Sequence, residues 1–232
     1  MLTQYEIKLP KPIVQYTTRS ASDFRQIWFL DQFITGHNGF ICGGCFKNIF
    51  NSEKIKDVDI FFRSEDDERA AEHYYDTMTD GYGGEDAREE QYRFCYENSN
   101  VKSYIHIKSG IRIELCRKIF GTPAFILNNF DLSITKFAYY KIEISDNKSK
   151  TNEATTEFYV LYDDRFFEDL HLRRIVIDGD IPYPMSTLER MFRYAKYGYS
   201  PCRETKMKIV RALRELSEEA VIVSESLYDG ID

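Results

Sequence analysis

The sequence predicts an α+β fold in which a mixed β-sheet is flanked by helices and followed by a mostly helical C-terminal part. Short β-rich runs such as residues 57–62 and 111–116 alternate apolar and polar side chains, which is typical of strands. Residues 187–197 instead repeat apolar side chains with helical spacing. The chain has 232 residues, 43% of them hydrophobic, and is long enough to bury a core without disulfides.

Composition and charge narrow the class of protein. The hydrophobic share of 43% and the charged share of 30% exclude a disordered or collagen-like chain. No run of about 18 apolar residues occurs, so the sequence predicts no membrane span. The start, MLTQYEIKLPKP, lacks the basic and apolar regions of a secretory signal, and the odd number of cysteines, 5, fits free thiols. We therefore expect a protein of the reducing cytoplasm.

Helices and strands alternate in the first half of the predicted fold. The expected elements are a helix at 22–36, a strand at 39–42, a strand at 57–62, a helix at about 66–79, and a hairpin of 102–107 with 111–116. Apolar side chains recur with helical spacing in the two helices, whereas the strands are rich in β-branched and aromatic residues. Ser109 and Gly110 supply the tight turn of the hairpin.

In the second half of the chain, the sequence predicts more helices than strands. The expected elements are a helix from about Ala124, a helix from Leu132 to Tyr140, strands at 158–162 and 172–177, a helix from Ser186 to about Gly198, and a helix from Pro201 to about Glu218. Ser186 and Glu189 have the Ser-x-x-Glu form of a capping box. Pro201 suits the first position of a helix because its missing N–H costs nothing there.

A change in composition suggests where the sheet ends. Residues 143–157 contain few large apolar side chains, which indicates a surface loop or a hairpin tip. We expect a domain at 1–145 that contains the sheet, and a mostly helical region with a short β segment at 146–232. Acidic residues cluster from Glu65 to Glu90 and basic residues from Arg190 to Arg214. A basic stretch can face phosphate even on a chain of net charge −7, although a solvated helix face explains the same pattern.

Two glycines and two aspartates form a pattern with chemical meaning. Gly43 and Gly44 follow a short apolar strand, and Asp57 and Asp59 alternate with apolar residues on the next strand. Alternate side chains of a strand share a face, so the two carboxylates project together, about 7 Å apart. Carboxylate oxygens suit Mg²⁺, and a pair of such ions suits in-line displacement at phosphorus. Glycines lack a Cβ, so phosphate oxygens can approach their N–H groups.

This succession of strand, Gly-Gly turn, short helix and Asp-x-Asp strand resembles the DNA polymerase β-like nucleotidyltransferase superfamily. It is most similar to the head domains of poly(A) polymerases and CCA-adding enzymes. Residues 35–215 also resemble uncharacterised phage and bacterial nucleotidyltransferase-like proteins, with the strong motifs confined to 41–62 and 112–131. The resemblance implies a nucleotidyltransferase fold, two Mg²⁺ ions and a nucleoside triphosphate as substrate.

The resemblance also implies a third carboxylate on a neighbouring strand. Glu114, in an alternating stretch of the second hairpin strand, is the preferred candidate. Asp131 is the alternative, and we otherwise expect it to cap the helix that follows. The expected catalytic residues and metal ligands are therefore Asp57, Asp59 and Glu114.

The expected nucleotide contacts lie in the glycine turn and on the basic C-terminal helix. They are Gly43, Gly44, Cys45, Lys47, Arg190, Arg193 and Lys196. The three basic helix residues fall at i, i+3 and i+6, which places them close to one face. Many relatives carry Ser where Cys45 stands, and a basic-acidic pair where Lys47 and Asn48 stand. These departures leave nucleotide affinity and preference open.

Cys42 and Cys45 also match the Cys-x-x-Cys pattern of dithiol redox sites and of half a zinc site. Zinc would need two more clustered ligands, and the other three cysteines stand far apart in the sequence. The glycines between the two thiols are already explained by the phosphate turn. We therefore interpret Cys42 as a small buried hydrophobic residue.

Together these patterns predict a metal-dependent nucleotidyltransferase. It would move a nucleoside monophosphate from a triphosphate to an acceptor hydroxyl and release pyrophosphate. The basic C-terminal helices favour an RNA or tRNA end as the acceptor. One alternative is a catalytically inactive module of the same fold that binds a nucleotide or a partner, and another is a transferase acting on a small molecule or a protein. The sequence indicates no membrane partner and no particular oligomeric state.

Overall fold

The computed structural model describes residues 13–82, 88–145 and 154–216, and an eight-stranded sheet runs through them. The strands are β1 (Ile13–Thr18), β2 (Phe40–Cys42), β3 (Asp57–Phe62), β4 (Tyr92–Glu97), β5 (Val101–His106), β6 (Arg112–Phe120), β7 (Phe137–Ser145) and β8 (Ala154–Asp163). They lie in the order β1-β8-β7-β2-β3-β6-β5-β4. The β3–β6 pair is parallel and the other neighbours are antiparallel, so the sheet is mixed as expected.

Six α-helices accompany the sheet in the described residues. They are α1 (Cys45–Phe50), α2 (Glu65–Thr77), α3 (Pro123–Asn128), α4 (Phe166–His171), α5 (Pro184–Lys196) and α6 (Arg203–Arg214). Two short strands, β9 (Arg174–Ile175) and β10 (Ser200–Pro201), pair in parallel outside the large sheet. The fold class is therefore α+β, which confirms the prediction.

The two faces of the sheet differ in their cover. Val58 and Ile60 of β3 enter the larger hydrophobic core, which also receives residues of α1, α2, α5 and α6. Phe61 belongs to a smaller cluster on the other face, packed against α3. Asp57 and Asp59 share the face of Phe61, because side chains two residues apart on a strand point the same way.

Several elements form where the local sequence pattern predicts them. The strand at 57–62, the acidic helix α2 and the hairpin of β5 and β6 are confirmed. Ser64 caps α2, since its side chain accepts the N–H of Asp67. The strand predicted at 158–162 is longer than expected, because β8 spans Ala154–Asp163. It pairs with β7, which the sequence did not predict as a strand. The tip that joins them lies outside the described residues.

The predicted helix at 132–140 is wrong. A 3₁₀ helix at Ser133–Thr135 leads directly into β7. Residues 131–140 are all buried, and in β7 Phe137 and Tyr139 enter the larger core whereas Ala138 and Tyr140 enter the smaller one. A short, fully buried strand and a buried helix cannot be told apart by such a run.

The predicted helix at 22–36 is also wrong, because the chain forms 3₁₀ helices at Ala21–Asp23 and Trp28–Ile34. The carbonyl of Phe33, near the end of the second of these, accepts a hydrogen bond of 2.7 Å from Tyr75 Oη on α2 and lies 3.1 Å from Nε2 of His37. These contacts fasten the end of the segment to the rest of the fold.

The two C-terminal helices begin at other residues than expected. Pro184 starts α5, two residues before the predicted capping box, and its fixed φ suits that place. Ser200 and Pro201 form β10 instead of starting a helix. Cys202 caps α6, since its sulfur accepts the N–H of Thr205. Of the strand predicted at 172–177, only Arg174–Ile175 is a strand.

Two edge strands, β1 and β4, were not expected from the sequence. β1 pairs along its whole length with β8, which places residues 13–18 in the same sheet as residues 154–163. The sheet therefore extends beyond residue 145, and the boundary expected there falls within the β7–β8 hairpin; the division into two domains stays a prediction. Among the described residues, no helix is both long and apolar enough to cross a membrane.

Candidate active site

Asp59 and Glu114 lie side by side on neighbouring strands. The parallel register of β3 and β6 pairs Asp59 with Glu114 and Asp57 with Arg112. Side chains directly opposite each other in a sheet share a face, so the register brings the two carboxylates together. Glu114 is only 7% exposed, whereas Asp57, at the start of β3, is exposed. The sheet thus gathers the three carboxylates that the sequence singles out.

The three carboxylates lie close enough for their negative charges to affect one another. Burial, followed by the charges of Asp57 and Glu114, raises the pKa of Asp59 well above its usual value. Arg112 Nη1 lies 3.7 Å from Glu114 Oε1 and offsets part of that charge. A hydrogen bond of 2.8 Å from Tyr96 Oη reaches the same Glu114 oxygen. Burial raises the pKa of Tyr96 to about 12, so its hydroxyl keeps the proton that it donates.

The glycine turn lies directly against Asp59. Gly43 has a φ of +114°, and a Cβ there would sit 2.9 Å from Asp59 Oδ2. The N–H of Gly43 donates to the carbonyl of Phe137 at 3.1 Å, which ties the turn to β7. A Cβ on Gly44 would lie 3.4 Å from Tyr194 Oη on α5. The turn is therefore enclosed by a carboxylate on one side and by a tyrosine hydroxyl on the other.

Cys42 and Cys45, on either side of the turn, are buried free thiols. Burial raises the pKa of both thiols, so both stay protonated. A buried, neutral pair of this kind has the character of small hydrophobic residues. Within residues 13–82, 88–145 and 154–216, no group of three or more His, Cys, Asp or Glu side chains is arranged to hold a metal ion by itself.

Lys47 is engaged within the fold. Its ammonium lies 2.9 Å from Glu53 Oε2 and is almost completely buried. The rings of Tyr197, Tyr199 and Tyr194 surround it, with centroids 5.2, 5.7 and 6.0 Å from Nζ. This ion pair inside an aromatic box joins α1 to the end of α5. The structure does not place Lys47 with the carboxylates, and its contact with phosphate stays a prediction.

Arg190 holds α5 against the segment that precedes β7. Its Nη2 donates to Asp131 Oδ2 at 2.7 Å, and Thr187 Oγ1 donates to the same oxygen. Asp131 is 3% exposed and therefore depends on these partners. Its carboxylate caps no helix, because the residue preceding the 3₁₀ helix at Ser133–Thr135 is Leu132. The expected capping role of Asp131 is wrong.

The remaining basic residues of α5 are exposed. Arg193 and Lys196 both face solvent, one and two turns beyond the anchored Arg190. Tyr194, between them, is half-buried and directs its hydroxyl to the glycine turn. Burial raises the pKa of Tyr194, and the charge of Asp59 contributes to that shift, so α5 approaches the carboxylates.

Sequence reasoning missed three side chains of this site. Tyr96, Thr187 and Tyr194 contact Glu114, Asp131 and the glycine turn from distant parts of the chain. No local motif marks them. For Tyr194 alone a signal exists, since it lies between Arg193 and Lys196 on the helix that the basic pattern identifies.

Comparison with known families adds a relationship that the motifs do not reveal. A family model described as "Gabija anti-defense 2 family protein" matches residues 20–173. The protein "Gabija anti-defense 2" of Bacillus phage SPbetaL7 is 23% identical over 189 residues, which cover 78% of this chain and 38% of that protein. The chain thus spans less than half the length of this relative.

Solved structures of CCA-adding enzymes share the fold. The apo form I has a TM-score of 0.50 at 14% identity, over 87% of this chain and 46% of that chain. The complex with CTP has a TM-score of 0.53 at 13% identity, over 91% and 49%. The complex with ATP has a TM-score of 0.52 at 12% identity, over 91% and 50%. The chain spans at most half of each, and the likeness confirms the nucleotidyltransferase fold.

Proposed function

The chain belongs to the Gabija anti-defense 2 family, and we propose that it is a metal-dependent nucleotidyltransferase. It would move a nucleoside monophosphate from a nucleoside triphosphate to an acceptor hydroxyl and release pyrophosphate. The observation that carries this proposal is the pairing of Asp59 with Glu114 across β3 and β6, directly beside the Gly43 backbone. Carboxylates that hold metal ions beside a turn that admits phosphate are what in-line transfer at phosphorus needs.

The donor set fits Mg²⁺. Asp57, Asp59 and Glu114 offer only hard oxygen atoms, and burial together with the charges of Asp57 and Glu114 raises the pKa of Asp59. A bound cation would offset the repulsion between these carboxylates. Mg²⁺ in nucleotide enzymes is held by one or two carboxylates together with substrate phosphates, so a cage made of protein alone is not required. We propose that these three side chains hold two Mg²⁺ ions together with the triphosphate.

The residues around the carboxylates bind the triphosphate or hold the neighbouring helices in place. Gly44 lets phosphate oxygens approach the backbone, whereas Gly43, whose N–H donates to Phe137, supplies the positive φ of the turn. Cys45 contributes its N–H to the turn, because its buried thiol is a poor donor. Arg193 and Lys196, which are exposed on α5, attract the triphosphate. Arg190 and Lys47 act through their ion pairs, which hold α5 and α1 in place around the turn.

The transfer itself depends on position and charge. When bound, Mg²⁺ lowers the pKa of an acceptor hydroxyl and neutralises charge on the departing pyrophosphate. Asp59 and Glu114 orient the acceptor hydroxyl and the α-phosphate toward each other. The glycine turn fixes the pyrophosphate end of the nucleotide, so that the bond that breaks lies in line with the attacking oxygen.

We favour RNA as the acceptor, because α6, the next helix after the basic residues Arg193 and Lys196 of α5, is also rich in basic residues. The name of the phage relative describes action against a defence called Gabija. We propose that nucleotidyl transfer by this chain serves an anti-defence role. The phage relative is more than twice as long as the matched segment, so further parts of such a protein can contribute to that role.

The test is a transfer assay with matched variants. The purified chain is incubated with each α-labelled nucleoside triphosphate, Mg²⁺ and a panel of tRNA, total RNA and cell lysate. We expect label in RNA, and we expect Asp59→Asn to lower the rate by at least about 100-fold. Asp164→Asn, which alters an exposed carboxylate outside the site, is the control. Equal rates for Asp59→Asn and Asp164→Asn would contradict the assignment.

The same assay addresses the alternative of an inactive module. Such a module would bind the triphosphate and release no pyrophosphate. Label in protein or in a small metabolite, rather than in RNA, would keep the reaction and change the acceptor.

A further inference from the structure

Four side chains form a row across the sheet that ends at the proposed metal site. Tyr96 of β4 pairs with Ser103 of β5, Ser103 pairs with Glu114 of β6, and Glu114 pairs with Asp59 of β3. Directly paired residues share a face of the sheet. Tyr96 therefore lies on the same face as the two carboxylates, at the edge strand of the sheet.

An irregularity in β4 puts Tyr96 on that face. Phe94 pairs with Tyr104, and the register then shifts so that Tyr96, not Cys95, pairs with Ser103. In a regular strand Tyr96 would share the face of Phe94, because residues two apart point the same way. One extra residue reverses the direction of every side chain that follows it. The bulge thus turns Tyr96 toward Glu114.

Ser103, which lies between Tyr96 and Glu114 in the row, has a side chain small enough for the tyrosine ring to extend over it. Neighbouring strands are about 4.8 Å apart, so Tyr96 must reach over β5 to contact a residue of β6. Ser103 is 0% exposed, which means that other atoms cover it completely. The Tyr96 hydroxyl arrives 2.8 Å from Glu114 Oε1. A larger residue at position 103 would block this approach.

The structure assigns Tyr96 as a positioning residue that fixes the carboxylate of Glu114 beside Asp59. This inference rests on the proposed function, in which Glu114 is a ligand of the metal. Tyr96 donates to Oε1, and Arg112 lies 3.7 Å from the same oxygen, so two neighbours hold one oxygen of the carboxylate and fix its orientation. A fixed carboxylate loses less conformational freedom on binding, and partners of this kind tune metal affinity.

The test compares two tyrosines on adjacent strands. Tyr96→Phe removes only the hydroxyl that reaches Glu114. Tyr104→Phe is the matched control, because it removes a tyrosine-to-carboxylate hydrogen bond of 2.7 Å to Asp76 on the other face. Urea unfolding of both variants establishes that each is folded under the assay conditions.

The first readout is Mn²⁺ affinity, measured by calorimetry on the full chain. We expect Tyr96→Phe to raise the Mn²⁺ dissociation constant about 10-fold, with Tyr104→Phe within about twofold of the unchanged chain. An unchanged Mn²⁺ affinity in folded Tyr96→Phe would overturn the assignment, and so would an equal loss in both variants.

The second readout is transfer kinetics. We expect kcat of Tyr96→Phe to fall about 10-fold while KM for the triphosphate changes less than about twofold. A smaller folded fraction would also lower the apparent kcat at constant KM, so kcat is calculated per folded molecule, with the folded fraction taken from the urea curves. A purely structural role of Tyr96 would leave this corrected kcat unchanged. If the unchanged chain binds Mn²⁺ and transfers no nucleotide, the proposed function fails, and the Mn²⁺ comparison still decides the role of Tyr96. If it binds no Mn²⁺, the assignment of Tyr96 is overturned as well.

Discussion

At the scale of single residues, Asp131 shows how a buried charge ties one helix to the rest of the molecule. Its carboxylate is 3% exposed, and its Oδ2 accepts hydrogen bonds from Thr187 and Arg190. When one partner of such a pair is removed, the other charge stays buried without compensation. The resulting loss in the free energy of unfolding is larger than the net stabilisation that the intact pair provides. The contact therefore acts mainly as a fixed point for α5.

Arg190→Met is expected to lower the free energy of unfolding by about 2–4 kcal/mol. The double variant Asp131→Asn/Arg190→Met should recover part of this loss, because the unpaired charge is gone. Urea denaturation of the single and double variants measures both quantities as a double-mutant cycle. Strictly additive effects would show that the two side chains do not interact.

His37 makes folding sensitive to acid. Its Nδ1 accepts the N–H of Gly39 at 3.0 Å, and its Nε2 lies 3.1 Å from the carbonyl of Phe33, so the neutral ring satisfies both contacts. Burial lowers the pKa of His37 to about 4 from 6.5. Between these pH values the unfolded chain binds a proton that the folded chain does not.

The stabilisation from neutral His37 is complete above about pH 6.5 and is lost as the pH falls toward 4. We expect the free energy of unfolding to fall by about 2–3 kcal/mol over this interval through His37. His37→Gln should flatten that part of the profile, whereas His171→Gln, at an exposed position, should not. Parallel profiles for all three proteins would contradict the role of His37.

At the scale of elements, the turn between β2 and α1 brings backbone and carboxylate together. Gly43→Ala places a methyl group 2.9 Å from Asp59 Oδ2 at a φ of +114°. Gly110→Ala is the control, since its φ is +70° and nothing lies within 4 Å of the new methyl group. We expect the control to lower the free energy of unfolding by about 1 kcal/mol.

Gly43→Ala should lower it by about 2 kcal/mol or more, because steric overlap adds to backbone strain. It should also displace Asp59 and therefore reduce nucleotidyl transfer, which Gly110→Ala should leave intact. Urea denaturation and the transfer assay measure the two effects. A Gly43→Ala protein as active as the control would show that the turn tolerates a side chain beside the carboxylate.

The parts of the site that the sequence predicts are the local ones. Gly43, Gly44, Asp57 and Asp59 lie close together along the chain, and the alternation of β3 fixes their direction. The contacts of Arg190 and Tyr96 span 59 and 18 residues. The first depends on how α5 packs and the second on a one-residue bulge. Neither the packing of α5 nor the bulge changes the periodicity of apolar residues, so the sequence pattern does not predict these contacts.

At the scale of the whole molecule, the uneven charge of the sequence has a partly structural explanation. Glu68 and Glu72 of the acidic stretch pair with Arg117, and Glu72 also pairs with Lys102. These contacts fasten α2 to β5 and β6. Part of the acidic stretch therefore holds a helix to the sheet, which a count of charges does not show.

The order of the strands likewise escapes prediction from local pattern. β1 and β8 are neighbours although about 140 residues of chain separate them. Because residues 137–140 of β7 are buried on both faces, they lack the alternation of apolar and polar residues that marks a strand. β4 pairs with β5 through an irregular register, which local pattern does not predict. The fold class follows from the kinds of element present, whereas topology depends on tertiary contacts.

The anchoring of α5 has a consequence for how a ligand would meet this protein. Arg190 fastens the middle of the helix, and the Lys47 box fastens its end. The spacing between Tyr194 and the glycine turn is consequently set before any ligand arrives. A ligand that binds between them would not have to order this helix, so the conformational entropy of ordering it is lost during folding and not on binding.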